Sequence, residues 1–112
     1  MVSTKKTPEF LETKRKQELT QELDKILHQP IRTRIMALLA TQQSCDYVTL
    51  KKLFALSDGH MTTHMRELLS NNYVLADKLF VDNKPKTIYS ITPEGKKAFT
   101  DYIHVLRNII IT

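Results

Sequence analysis

The chain has 112 residues, 41% of them hydrophobic and 26% charged, the balance of one folded domain of ordinary size. Seventeen Lys and Arg against twelve Asp and Glu leave a formal charge of +5, which favours an anionic partner over a cationic one. One cysteine excludes an internal disulfide and suits a reducing cytoplasm, no apolar run reaches the length of a membrane span, and "MVSTKKTPEF" lacks the apolar core of a signal peptide, so a cytoplasmic location with no membrane partner is expected.

Residues 1–7 are polar and read as a flexible N-terminus. Pro8 is placed to open a helix that runs to His28, with Leu19, Leu23, Ile26 and Leu27 on one narrow apolar stripe. So thin a stripe on so long a helix suits packing against another chain. Pro30 either kinks this helix or starts the next at its first turn. Ile31, Ile35, Leu38 and Leu39 then form a core stripe ending near Thr41. "QQSCDY" reads as a polar connection. A short helix follows from Thr49, with Leu50, Leu53 and Phe54 inward, and "ALS" reads as a turn.

Ser57 is positioned to cap the next helix, and Asp58 suits the positive end of its dipole. Met61, Met65, Leu68 and Leu69 face the core, and the pattern fades at "SNN". The texture then changes. "YVLADKLFV" and "TIYSIT" are rich in β-branched and aromatic residues, and the loop "DNKPK" between them holds turn residues and a proline. A β-hairpin is expected. Thr92 then caps, Pro93 takes the first helical position, and a last helix runs to about Ile110 with Phe99, Tyr102, Ile103, Leu106 and Ile110 on one face.

The resulting fold is mainly α with a small β-hairpin (α+β). It divides into residues 1–7, an N-terminal helix over 8–28, a central unit over 29–92 and a C-terminal helix over 93–112. A short helix, a tight turn, a capped helix and a hairpin make the layout of a winged helix-turn-helix.

At these residues the chain resembles a known group. "HQPIRTRIMALLA", "LSDGHMTTHMRELLSNNYV" and "DNKPKTIYSITPEGKKAF" are similar to winged-helix transcriptional regulators of the MarR and ArsR type, and most of all to small stand-alone winged-helix DNA-binding proteins. The match runs from about His28 to Phe99. Asn71 and Asn72 depart from it where glycine is usual, and asparagine tolerates the left-handed backbone needed there. The resemblance implies a homodimer that binds a specific site in double-stranded DNA, joined through its terminal helices. Repression is the common outcome in such small proteins. No cofactor or effector is implied.

On the capped helix, successive residues turn by about 100°. With Met61, Met65 and Leu68 inward, Gly59, Thr63, Arg66 and Ser70 point out, flanked by His60 and Thr62. Gly59 admits a close approach of the duplex. Thr62 and Thr63 suit phosphates or base edges, and Arg66 suits guanine or phosphate. His60 offers a donor. The alternative is an ordinary solvated helix face. In the loop, Asn83, Lys84 and Lys86 suit a phosphate backbone or the minor groove, against lysines kept for solubility. Arg32, Arg34, Lys51 and Lys52 read mostly as surface charge.

The dimer surface is expected on Phe99, Tyr102, Ile103, Leu106 and Ile110, completed by Leu19 and Leu23, since a bare stripe of that size would be sticky. His60 and His64 stand i and i+4, but Met61 takes the place of a catalytic glutamate, no third ligand is near, and no metal site is expected. Cys45 reads as a plain thiol. No paired carboxylates, phosphate loop or activated nucleophile points to an enzyme. The alternative to a regulator is a winged-helix module that binds protein and not DNA.

Overall fold

The computed structural model describes residues 22–111. The N-terminal helix expected over 8–28 therefore lies outside the described residues up to position 21, and Leu19 with it. Over residues 22–29 the chain is a turn and not a helix. The Asp24 carboxylate accepts from the backbone N–H of Ile26 and of Leu27, which holds this turn in place of a helical ladder. Its other oxygen accepts from the Tyr73 hydroxyl at 2.6 Å. Leu27 is fully buried, and Leu23 and Ile26 lie half-buried against the same core. The apolar spacing that suggested a helical stripe is thus used by a turn that folds onto its own chain.

Pro30 starts a helix and does not kink one. α1 spans Pro30–Gln42, and Gln29 caps it by accepting from the Arg32 N–H at 2.8 Å. Its buried residues are Ile35, Met36 and Leu39, with Ile31 and Leu38 on the shoulder of the stripe. The connection "QQSCDY" contains a strand, β1, Ser44–Asp46. Asp46 then caps α2, Tyr47–Leu53, through the Thr49 N–H, so this helix begins two residues before Thr49. Leu50 is its buried residue, while Leu53 is 58% exposed. Ala55 takes a left-handed φ of 52° in the turn, and Leu56 seals the turn from below.

Ser57 caps α3, Asp58–Ser70, by accepting from the His60 N–H, and Met61, Met65 and Leu68 are its buried face. Leu69 lies at the edge of that face and is exposed. Strands β2, Val74–Val81, and β3, Lys84–Ile91, form the hairpin. The sheet has three antiparallel strands in the order β1-β3-β2, with Cys45 opposite Tyr89. The hairpin loop is shorter than "DNKPK". Only Asp82 and Asn83 connect the strands, both at left-handed φ (52° and 62°), which is the geometry of a two-residue primed turn. Lys84, Pro85 and Lys86 all lie in β3. Pro85 pairs with Phe80 one step beyond the turn, a position whose backbone N–H faces away from the partner strand, and β1 reaches only Ile88. The missing donor is not needed there.

Thr92 closes the core. Its hydroxyl donates to the Asn72 carbonyl at 2.6 Å and accepts from the Gly95 N–H, opening α4, Pro93–Ile111. Gly95 is pressed against the strand entrance, and a Cβ there would stand 2.1 Å from the Tyr73 carbonyl oxygen. Tyr102 and Val105 bury deeper along α4, and the Tyr102 hydroxyl meets His28 Nδ1 at 3.0 Å. Helices α1, α3 and α4 with the base of the hairpin thus enclose one apolar cluster.

Candidate nucleic-acid interface

With its buried stripe fixed, α3 presents Gly59, His60, Thr62, Thr63, Arg66 and Ser70 to solvent. Gly59 is helical, and a Cβ there would meet only Ser57 Oγ at 3.9 Å. Nothing inside the chain demands a glycine, and glycine weakens a helix. The requirement that fits is an approach from outside. Thr62 and Thr63 donate their hydroxyls to the carbonyls of Asp58 and Gly59, one turn back. In that state they offer lone pairs and methyl groups outward. These suit amino groups on base edges and a thymine methyl, whereas a phosphate contact would need the hydroxyl to rotate.

The start of α3 is braced from α2. Lys51 Nζ lies 2.8 Å from Asp58 Oδ1, and the Tyr47 hydroxyl donates to the same oxygen at 2.5 Å. These two bonds, Lys51 first, lower the Asp58 pKa, and the bond to Asp58 pushes Tyr47 up to about 12. Asp58 is therefore a carboxylate whose charge is matched locally, which makes an acid tolerable beside a polyanion. Lys51 and Tyr47 escape a sequence reading because the partnership spans two elements.

Arg32 is also committed. Its Nε donates to the Ile26 carbonyl at 2.6 Å and its Nη1 donates to His64 Nδ1 at 3.1 Å. Burial, then the charges of Arg32 and His60, lower the His64 pKa. His64 thus joins α3 to α1, and its Nδ1 is occupied. The His60 and His64 rings stand 6.4 Å apart, and among the described residues no group of three or more His, Cys, Asp or Glu could hold a metal ion. Cys45 is buried, and burial followed by the Asp46 charge raises its pKa, so its thiolate is disfavoured.

A groove of about 600 Å3 separates α3 from the hairpin. Thr62, Arg66 and Ser70 line one wall, and Lys78 and Thr87 the other. The sequence reading missed Lys78, although strict alternation from Val74 puts it on this face. The two lysines that it did select point elsewhere. Lys84 pairs across from Val81 and Lys86 from Leu79, on the opposite face from Lys78. There they line a second hollow with Asp46, Tyr47 and Val48. Asn83 is at the tip, held in the turn by its left-handed φ. The helix residues are therefore brought together, while Lys84 and Lys86 lie together on the far face of the wing.

On α4 the structure divides the expected dimer face. Tyr102 is buried in its own chain, and Phe99 and Leu106 are half-buried there. Ile103 and Ile110 are exposed, together with Ile109 and Ile111. No described helix is long and apolar enough to cross a membrane.

A sequence family described as winged helix DNA-binding domain matches residues 31–110. An uncharacterized protein of Methanocaldococcus jannaschii is 34% identical over 80 residues, which is 71% of this chain and 87% of that protein. The structure of a transcriptional regulator homologue from Pyrococcus horikoshii superposes with a TM-score of 0.75 at 26% identity, covering 87% of this chain and 94% of the other. A mutant MarR from E. coli, complexed with operator DNA, gives a TM-score of 0.60 at 16% identity, over 87% of this chain and 69% of that one, a likeness of fold.

Proposed function

Since the chain belongs to the winged helix DNA-binding domain family and shares its fold with MarR, we propose that it is a transcriptional regulator, and no enzyme, that binds a specific site in duplex DNA. α3 enters the major groove, with Gly59, His60, Thr62, Thr63 and Arg66 against the bases and flanking phosphates. The wing carries Lys78, Asn83, Lys84 and Lys86 along the backbone and minor groove. The protein acts as a homodimer on a near-palindromic operator in the cytoplasm, as a repressor.

The observation that carries this reading is the outer face of α3. A glycine without an internal reason, two threonines and an arginine lie in one exposed array, and a lysine faces them across a groove. The two cations facing one groove favour a polyanion over a protein partner.

Two substitutions test it against duplexes of random and selected sequence. Arg66→Ala should weaken specific binding by about 1–3 kcal/mol and relax preference at one base pair, whereas Lys84→Glu should lower affinity for all sequences and reduce the salt slope by about 1. Affinity and salt slope unchanged in both variants would remove DNA from the site and leave a protein-binding module.

A further inference from the structure

We propose that Phe80 is an apolar wedge that enters a base step of the duplex from the minor groove, kinking the DNA beside the major groove occupied by α3. The inference rests on the DNA-binding reading and adds a mode of recognition to it. Phe80 is 79% exposed, the highest value for a large apolar side chain among the described residues. It gives nothing to the core, because the hairpin's buried residues, Val74, Tyr89 and Ile91, all lie at its base.

Its position is well defined. Phe80 stands one residue before the end of β2 and directly opposite Pro85, on the face that carries Ala76 and Lys78. That face lines the groove with Thr62 and Arg66, so Phe80 extends the outer surface of α3 toward the tip and does not turn away from it. The two-residue turn at Asp82–Asn83 and the prolyl ring across the ladder stiffen the tip, so little freedom is lost when the ring is inserted. Lys78 lies two residues along the same face, and Lys84 and Lys86 lie on the reverse face of the same tip, so the tip carries three lysines against Asp77 and Asp82.

A flat apolar ring at a tip that carries lysines on both faces matches a partner that is anionic outside and apolar between stacked planes. Duplex DNA has both. Side chains of this kind enter the minor groove, unstack a step and kink the helix by about 20–90°. Pyrimidine–purine steps yield most easily, so the operator should carry a TA or CA step at the wing, at a position that no hydrogen bond reads.

The test uses the full chain and the duplex recovered by selection from random-sequence DNA. 2-Aminopurine is placed at successive positions across the flank, and a dye pair on the ends reports bending. Wild type should raise the fluorescence at one step and shorten the end-to-end distance. Phe80→Ala should lose both signals and bind about tenfold more weakly, whereas Phe80→Trp should keep them. An unchanged melting temperature of Phe80→Ala would confirm that the fold is intact. The same bend and the same fluorescence with Phe80→Ala, while Arg66→Ala still relaxes sequence preference, would overturn the wedge and leave the DNA-binding reading standing. No preference of wild type for any duplex would overturn both. A change in self-association of Phe80→Ala without a change in DNA affinity would also overturn the wedge and make the tip a contact between copies.

Discussion

At position 59 stability and function pull in opposite directions. Gly59 sits in the first turn of α3 with room for a Cβ, so Gly59→Ala should raise stability by about 0.5–1 kcal/mol while it lowers affinity for the selected duplex. A denaturant titration and a binding titration on the same sample read the two signs. Equal affinity in the variant would mean that the duplex does not approach this backbone. Much of this face could be read from sequence, because Met61, Met65 and Leu68 fix the phase of the helix and hence what is left outside. The partners of Asp58 and His64 could not. Lys51, Tyr47 and Arg32 lie on other elements, and only the tertiary fold decides which surface charges are already engaged.

The elements were legible where a period or a cap could be counted. Ser57, Thr92 and Pro93 open their helices as their chemistry suggests. β1 was not legible, since three residues hold no period and Ser44–Asp46 becomes a strand only through the backbone of β3. Over residues 22–29 Leu23, Ile26 and Leu27 satisfy helical spacing, yet the Asp24 side chain takes the Ile26 and Leu27 amides and the segment is a turn. A proline between turn residues predicts a longer wing loop, but at Pro85 the backbone faces the open edge and the ladder continues through Lys84–Lys86. The tightest join is Gly95, where α4 leaves the strand entrance. A methyl group would collide with the Tyr73 carbonyl, a backbone atom that cannot step aside. Gly95→Ala should cost at least about 1–3 kcal/mol in thermal unfolding, and an unchanged melting temperature would mean that α4 docks differently.

Among the described residues, a large unsatisfied apolar surface lies at the end of α4. Ile103, Ile109, Ile110 and Ile111 are exposed, with Ile110 at 72%. A symmetric pair of chains joined there would cover these residues and hold two recognition helices about 34 Å apart, one turn of DNA. Ile103→Glu with Ile110→Glu should halve the mass seen by light scattering at micromolar concentration and leave the fold intact, since neither side chain belongs to the core. An unchanged mass would place the contact elsewhere. Reading of a DNA sequence twice, by the outer face of α3 in each copy, follows from this pairing. It is tested most directly by selecting bound fragments from random duplex DNA at about physiological salt, where non-specific electrostatic binding is weak. Enrichment of a near-palindrome with half-sites about one helical turn apart is the result predicted, and recovery of DNA with no enriched sequence would contradict it.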